Sequence, residues 1–183
     1  MTTVIGVQVG GGCWLASDSR TTGESGRPYH HDWVSKITQR GEYLIAGSGD
    51  ADACDIIQHV WQPPEAPKKS SKNKENNLFG FMVASVVPSI RQCLEDNEYE
   101  PDKNDKDAGY LFLIAIRGVI YEVDNSNTVS MRDDGIYGIG SGSKYAIGAL
   151  CAGASWEWAL EIAAKNDIYT AGPFKYYEQN KQG

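Results

Sequence analysis

The sequence predicts an α+β fold, a four-layer αββα sandwich in which two antiparallel sheets stack face to face between two pairs of helices. The first observation is the order of the predicted elements: hairpins, two helices, hairpins, two helices and a short strand. The second is that the strand segments carry few charges, as expected of sheets covered on both faces. The third is size, because 183 residues with 41% hydrophobic content can form a single domain, residues 1–183, with a substantial core.

The first fifty residues are rich in strand and turn signals. Apolar and β-branched side chains predict strands at residues 2–9, 13–18, 34–37 and 43–46. Three glycines in a row, Gly10 to Gly12, permit a tight turn between the first two strands. Residues 19–32 are rich in Gly, Ser, Thr and His and are expected to form a loop.

The apolar period becomes helical near residue 50. Asp50 is a suitable N-cap for a helix that ends before Pro63. A second helix is predicted over residues 78–94, bent or re-phased at Pro88. The low-complexity, charged stretch at residues 67–77 is expected to be a mobile loop between them.

The second half of the chain repeats the pattern of strands followed by helices. The predicted elements are strands at residues 110–116, 119–124 and 128–132, and helices that include residues 145–150 and 156–163. The end of the chain is predicted as strand at residues 167–170 and 174–177, with a turn at Gly172-Pro173 between them. Residues 137–143 are expected to lead into the first of these helices. Ser155 is the predicted N-cap of the second, in which Trp158 is expected to face largely inward.

Composition argues against several classes of partner. A net charge of −7, without a basic stripe, argues against nucleic acid. The longest apolar run, residues 111–120, is interrupted and too short to span a membrane, and no signal peptide is visible. The four cysteines are widely spaced, and Cys54, Cys93 and Cys151 are expected to be small buried hydrophobes. We therefore expect a soluble cytoplasmic protein in a reducing compartment.

Two patterns that suggest a metal fail on spacing. Residues 102–107 are rich in Asp, but positions six and twelve of an EF-hand would be Asp107 and Leu113 instead of glycine and glutamate. His30 and His31 are adjacent, so they point in different directions on an extended chain and lack a suitably spaced third ligand.

The amino-terminal segment carries the most informative chemistry. An initiator methionine is usually removed when the next residue is small, so we expect Met1 to be lost and Thr2 to become the first residue. Thr2 would then carry both a hydroxyl and a free α-amine, a combination that supplies a nucleophile with its own base. The reference pKa of an α-amine is about 7.7–8.0, so this amine can accept a proton near neutral pH.

Six short segments support this hypothesis because they occur in a fixed order. They are Thr2-Thr3-x-x-Gly6, Ala16-Ser17-Asp18-x-Arg20, Ser35-Lys36-Ile37, Ile45-Ala46-Gly47, Gly140-Ser141-Gly142-Ser143 and Asp167-x-x-Thr170. Together they resemble the proteasome β-subunits and the bacterial HslV-type peptidase, which are N-terminal nucleophile (Ntn) hydrolases. The resemblance runs from residue 2 to about residue 170. It implies the Ntn-hydrolase type of sandwich and a threonine-type endopeptidase.

The resemblance assigns roles around the nucleophile. Thr2 would attack a peptide carbonyl, and Lys36 would favour the deprotonated hydroxyl by Coulomb attraction. Asp18 fills the acidic position that partners the lysine, and Gly47 would offer its N–H to the oxyanion. Without the resemblance, Asp18 and Lys36 would be interpreted as a surface ion pair and Gly47 as part of a turn that enters a helix.

Three further residues match supporting positions of the family. Ser141, Asp167 and Thr170 would support the amine and the hydrogen bonds of the nucleophile, although each alone is typical of a turn or a cap. The resemblance also implies a monovalent cation, with sodium as the candidate, held by the backbone carbonyls of Ala164, Asp167 and Thr170. No cofactor is required.

The resemblance also bears on partners. It implies homo-oligomeric stacked rings with inward-facing sites, polypeptide substrates and an ATP-dependent unfoldase as a partner. The chain itself lacks a phosphate loop, because residues 140–144 do not have the Gly-x4-Gly-Lys spacing. Two alternatives stay open: a non-catalytic ring scaffold of the same fold, and an amidase that acts on small molecules.

Three features depart from the family pattern. The segment after Gly47 is shorter by about one or two residues, which leaves the cleavage preference open. Residues 19–35 place Lys36 further along the chain than the family norm, as a loop insertion would. The polar stretch at residues 67–77 is an additional loop.

Overall fold

The computed structural model of the protein describes residues 2–22, 28–30, 35–68, 76–101 and 109–180, with the backbone alone for residues 28–30 and 76–77. The strands in these ranges are β1 (Thr3–Val9), β2 (Gly12–Ser17), β3 (Arg20–Thr22), β4 (Pro28–His30), β5 (Ile37–Arg40), β6 (Tyr43–Gly49), β7 (Tyr110–Ile116), β8 (Val119–Asp124), β9 (Val129–Ser130), β10 (Ile136–Gly140) and β11 (Lys175–Asn180). The α-helices are α1 (Ala51–His59), α2 (Asn76–Phe81), α3 (Val87–Asp96), α4 (Ser143–Cys151) and α5 (Trp156–Asn166).

The strands form two antiparallel sheets and one small hairpin. The first sheet has the order β10-β1-β2-β11, and the second has the order β5-β6-β7-β8-β9. The hairpin consists of β3 and β4. In the first sheet, Thr3 lies opposite Gly140 of β10, and Val4 lies opposite Ser17 of β2. The start of β1 is therefore flanked by the ends of both neighbouring strands.

Three clusters of buried side chains fill the spaces between four layers. Alternation along β7 illustrates the arrangement, because Phe112 and Ile114 pack with the cluster that includes α1 and α3, whereas Leu113 lies in the cluster between the sheets. On the first sheet, Ile5 and Ala16 pack against α4 and α5. The predicted αββα sandwich is confirmed.

Helix α1 begins at the predicted cap. The carboxylate of Asp50 accepts hydrogen bonds from the N–H groups of Asp52 and Ala53, at 2.9 and 3.2 Å. Such a cap satisfies donors that the first helical turn leaves unpaired. Because Asp50 directly follows β6, the cap fixes where the strand that carries Gly47 ends.

The second helical region changes phase in its middle. Helix α2 runs through a π-helical turn, Met82–Val86, directly into α3. The wider turn shifts the register of the following residues, and Met82, Val86 and Ile90 all remain buried. Pro88 lies just after this turn, and because it has no N–H it interrupts the helical hydrogen bonds at the point where the register changes. The predicted re-phasing is confirmed.

Four predictions about strands are wrong. The expected loop at residues 19–32 contains β3 and β4. Strand β5 begins at Ile37 and not at residue 34. Residues 167–170, predicted as strand, form a turn after α5, where the Asp167 side chain accepts the N–H of Tyr169. The segment at residues 137–143 does lead into α4, but its first four residues belong to β10. Glycines at alternate positions obscure the strand pattern here, and only Tyr137 and Ile139 mark its period of two.

Two predictions about burial are also wrong. Trp158 is 53% exposed, and the Lys165 ammonium lies 4.6 Å from its ring centroid in a cation–π contact. Cys151 is exposed at the end of α4, and Cys93 is half-buried. By contrast, Cys13 and Cys54 are buried, and burial raises the pKa of each thiol to about 12. These two thiols therefore remain protonated at neutral pH.

Several predictions fall outside the described residues: most of the polar loop at residues 67–77, the Asp-rich pattern at residues 102–107 and the side chains of His30 and His31. None of the helices in the described ranges is long and apolar enough to cross a membrane.

Two leucines on one face of β7 test the packing between the sheets. Leu113 is fully buried and Leu111 is half-buried at the edge of the same cluster. We expect Leu113→Ala to reduce the free energy of unfolding by about 2–5 kcal/mol, because it leaves a cavity as well as losing apolar burial. Leu111→Ala is the matched control and should cost clearly less. Urea unfolding followed by circular dichroism measures both; equal losses would contradict the described core.

Candidate active site

Five segments converge where β1 begins. They are the start of β1, the residues after β2, the residues before β5, the turn after β10 and the loop after α5. Thr3 lies at the centre of this region and is fully buried. Its backbone and its side chain make hydrogen bonds to two different groups of residues.

The first group is an acid–lysine pair. The Thr3 N–H donates to Oδ1 of Asp18 at 2.9 Å, and Nζ of Lys36 donates to the same oxygen at 2.7 Å. Lys36 also donates to the backbone carbonyl of Arg20 at 2.6 Å. The side chain of Asp18 is fully buried and that of Lys36 is 12% exposed. The pair is therefore an internal ion pair and not the surface pair that its sequence alone suggests.

The other oxygen of Asp18 is also occupied. Oδ2 accepts the N–H of Arg20 at 3.0 Å and the N–H of Ala171 at 3.3 Å. A buried carboxylate with donors on both oxygens is held in one orientation, and its desolvation is offset by charge-assisted bonds.

The ionisation of Lys36 is altered by its surroundings. Burial lowers the pKa of its ammonium, and the attraction and hydrogen bond of Asp18 oppose this effect without cancelling it. A lysine with a lowered pKa is closer to the range in which a group can both hold and release a proton at neutral pH.

The second group is a cluster of hydroxyls around a carboxylate. Ser141 donates its hydroxyl proton to Oδ2 of Asp167 at 2.7 Å, and Thr170 donates to the same oxygen at 2.5 Å. The N–H of Tyr169 donates to Oδ1 at 3.3 Å. Burial raises the pKa of Asp167, but these hydrogen bonds outweigh it, so the pKa lies below its ordinary value.

Thr3 joins the second group through its side chain. Its Oγ1 lies 2.6 Å from Oγ1 of Thr170 and accepts the N–H of Gly142 at 3.1 Å. Gly142 has no room for a side chain, because an added Cβ would lie 2.4 Å from Oγ1 of Thr3 and 2.5 Å from Oγ1 of Thr170. The glycine therefore allows the backbone after β10 to approach both hydroxyls.

Thr2 lies immediately before Thr3 in the chain and is half-buried. Its carbonyl group lies against Gly140, where φ is +89° and an added Cβ would overlap the Thr2 oxygen. Oγ of Ser48 lies 3.2 Å from the same added Cβ, so the end of β6 borders the backbone of Thr2.

Gly47 lies on that end of β6. It pairs with Phe112 of β7, one residue beyond the last pair that β6 makes with β5. An added Cβ would lie 2.7 Å from Sγ of Cys54 and about as close to the Phe112 ring, at 3.0 Å. Packing alone thus requires glycine at this position, and an oxyanion role would be additional.

The predicted cation ligands lie around the end of α5. Ala164 is in the last turn, Asp167 is the C-cap and Thr170 follows three residues later. The Asp167 carbonyl already accepts the N–H of Thr170 at 3.1 Å, which leaves one lone pair for an ion. Among the described residues, His, Cys, Asp and Glu side chains form no group of three or more that could hold a metal.

Sequence reasoning missed three residues of the site. Thr3, Arg20 and Gly142 all occur in the six segments, but none receives a role there. Arg20 contributes its carbonyl to Lys36, and its guanidinium donates to the carbonyl of Ile168 at 2.5 Å. The doubled threonine at the start of the chain is the signal that could have directed attention to Thr3.

Comparison with known proteins agrees on the fold. No protein-family profile matches the sequence. The BPH protein of Thiobacillus denitrificans, solved with epoxomicin, is 23% identical with a TM-score of 0.72, covering 99% of this chain and 100% of that one. HslV from Trypanosoma brucei is 17% identical with a TM-score of 0.64, covering 97% and 99%. A helical assembly of the Anbu complex from Pseudomonas aeruginosa matches at 14% identity and a TM-score of 0.66, covering 97% and 81%.

These neighbours are HslV-type proteasome-like peptidases and Anbu, all with the Ntn-hydrolase fold. The present chain shares that fold over almost its whole length. The fold therefore matches the expectation from the six segments, while the chemistry rests on the residues described above.

Substitution of Gly142 tests the close approach of the backbone to the two hydroxyls. We expect Gly142→Ala to reduce the free energy of unfolding by about 1–3 kcal/mol, because the added methyl must displace Thr3 or Thr170. Gly148→Ala is the matched control in α4, where no atom lies within 4 Å of an added Cβ, and it should be neutral or stabilising by up to about 1 kcal/mol. Thermal unfolding compares the two; a neutral Gly142→Ala would refute the described contacts.

Asp167 should make stability depend on pH in the acid range. Its pKa is lowered by folding, so its contribution is present above the ordinary value of 3.8 and is lost as the pH falls through the lower folded value. We expect Asp167→Asn to lower Tm at about pH 6, and the difference from the native protein to shrink toward about pH 2. Asp55→Asn, on the exposed face of α1, controls for the lost charge. A Tm difference that does not change with pH would contradict the hydrogen bonds to the carboxylate.

Proposed function

We propose that the protein is a threonine-type endopeptidase subunit of a self-compartmentalised ring, with Thr2 as the nucleophile after removal of Met1. The observation that carries this proposal is the position of Thr3 between the Asp18–Lys36 pair and the hydroxyl cluster around Asp167. Because Thr2 is the residue next to Thr3, we expect it to lie between the Lys36 ammonium and the hydroxyls of the Asp167 cluster. That is the environment that an amino-terminal nucleophile needs.

In the first step the hydroxyl oxygen of Thr2 attacks the carbonyl carbon of a peptide bond, and its proton passes to the α-amine. Lys36 stabilises the negative charge on that oxygen as it develops. The carbonyl oxygen becomes an oxyanion that accepts the N–H of Gly47, an interaction worth about 2.7–4 kcal/mol where it has been measured in other enzymes.

Collapse of this intermediate breaks the C–N bond and leaves an ester on Thr2. The leaving amine takes the proton that the α-amine had accepted. Water then attacks the ester, and the α-amine takes a proton from the water. The C–O bond to Thr2 breaks, the acid is released, and the α-amine returns its proton to the Thr2 oxygen, which regenerates the hydroxyl.

Ser141, Asp167 and Thr170 hold the α-amine in place. Ser141 donates its only hydroxyl proton to Asp167, so its lone pairs are available to accept hydrogen bonds from the amine. The negative charge of Asp167 favours the protonated amine that forms during the reaction.

The assembly and the cation are parts of the same proposal. The helical assembly formed by an Anbu neighbour supports an oligomer, as do exposed apolar side chains such as Ile168 at 75% and Phe79 at 41%. Enclosed rings would admit only unfolded polypeptides, supplied by an ATP-dependent unfoldase in the cytoplasm. The carbonyls of Ala164, Asp167 and Thr170 would hold a sodium ion that stiffens the loop carrying the Asp167 cluster.

Replacement of the nucleophile tests the activity. We expect Thr2→Ala to reduce the cleavage of fluorogenic peptides by at least about 10³-fold, because both the attacking oxygen and the covalent intermediate are lost. Thr2→Ser, which keeps a hydroxyl and permits removal of Met1, is the matched control and should retain measurable activity. Negative-stain images and intact mass establish assembly and processing for each variant. Unchanged turnover in Thr2→Ala would reject the nucleophile.

Two further measurements separate the alternatives. Epoxomicin, the compound in the Thiobacillus complex, should inhibit the protein and add its mass to the peptide that begins with Thr2. Retained Met1 with no cleavage would favour a non-catalytic scaffold, and hydrolysis of small amides without cleavage of peptides would favour an amidase.

A further inference from the structure

We propose that Thr3 is a positioning residue for the neighbouring nucleophile, because its hydroxyl is the first member of a directed hydrogen-bond relay that ends on Asp167. This inference deepens the proposed function and rests on it. It concerns a residue to which neither the sequence segments nor the proposed mechanism gives a chemical step.

The direction of the relay follows from counting protons. Asp167 has no proton to donate when ionised, so the 2.5 Å bond to its Oδ2 uses the single hydroxyl proton of Thr170. Thr170 therefore has none left for the 2.6 Å contact with Thr3, and the Thr3 hydroxyl must be the donor there. The proton order is Thr3 to Thr170 to Asp167.

The acceptor side of Thr3 is occupied as well. Its Oγ1 accepts the N–H of Gly142 at 3.1 Å, so one donor and one acceptor hold the hydroxyl in a single rotamer. Because Thr3 is fully buried, no solvent can replace either partner. Loss of the hydroxyl would leave the Gly142 N–H and an oxygen lone pair of Thr170 unpaired.

The backbone of the same residue is held from the opposite side. Its N–H donates to Asp18, the carboxylate that also binds Lys36. This nitrogen is bonded directly to the carbonyl carbon of Thr2, so any shift of Thr3 moves Thr2 with respect to both groups. Two hydrogen-bonding groups on four other chain segments thus act on the nucleophile through one residue.

The test removes the hydroxyl and keeps the shape. In Thr3→Val we expect kcat to fall about 10- to 100-fold while KM changes less than about twofold, because the binding surface is intact and the nucleophile is misplaced. Thr3→Ser restores the donor and should return kcat to within about threefold of the native value. Thr38→Val is the control for the same change at a half-buried threonine in β5, and should leave kcat unchanged.

A double-mutant cycle separates a relay from independent contacts. Thr170→Val breaks the same chain from another segment, so the double variant Thr3→Val/Thr170→Val should be no slower than the slower single variant. Intact mass confirms that Met1 is removed, and Tm confirms that each variant is folded at the assay temperature. If Thr3→Val does not fold, Thr3→Ala replaces it and is compared with Thr3→Ser, which differs from it only by the hydroxyl; equal kcat values for these two variants would overturn the relay.

Each outcome has a definite meaning. A folded, processed Thr3→Val with native kcat overturns this inference and leaves the proposed function intact. A reduced Tm without a change of kcat, or losses that multiply in the double variant, also overturns it. A native protein that cleaves no peptide, or a fully active Thr2→Ala, overturns the proposed function and this inference together.

Discussion

The carboxylate of Asp18 is the interaction on which the rest of the site depends. It is fully buried and accepts four donors, from the backbone of Thr3, Arg20 and Ala171 and from the side chain of Lys36. An unpaired charge in this position would cost several kcal/mol, so the donors cannot be lost one at a time without a large penalty. The Asp18 carboxylate therefore holds four segments together: the start of β1, the end of β2, the residues before β5 and the loop after α5.

The sandwich makes such a convergence possible. Because side chains alternate along the strands, the apolar ones pack into the three clusters between the four layers. The polar groups of the site lie outside these clusters, at the ends of strands. Gly140 then lets the backbone of β10 approach the backbone of Thr2, and Gly142 lets the following turn approach the hydroxyls of Thr3 and Thr170. The site is consequently built from direct hydrogen bonds between main-chain groups and a few side chains.

Much of the architecture could be predicted from local patterns. The caps at Asp50 and Ser155, the hairpin at residues 117–118 and the phase change near Pro88 each have a nearby physical cause that is visible in the sequence. The strand at residues 136–140 could not be predicted because its glycines weaken the period of two. This strand nevertheless pairs with β1 beside the site. Trp158 is exposed and contacts a lysine seven residues away, and the apolar period alone does not report such contacts.

The site was predictable in part because its residues fall in recognisable segments. The burial of Asp18 and Lys36 could not be predicted from the sequence, because an Asp–Lys ion pair consists of the same two residue types whether it lies on the surface or in the interior. The sequence also could not show that Thr3 faces two groups at once, because that depends on residues 15 to 167 positions away in the sequence being brought together.

The wide spacing of the Asp18 donors along the chain has a consequence for folding. The four groups extend from residue 3 to residue 171, so the carboxylate is fully bonded only after the loop that follows α5 has packed against the start of β1. Asp18 and Ala171 are 153 residues apart, and contacts of such long sequence separation carry a large loop-closure entropy. The complete set of bonds therefore forms together with the sandwich as a whole and not with the first hairpin alone.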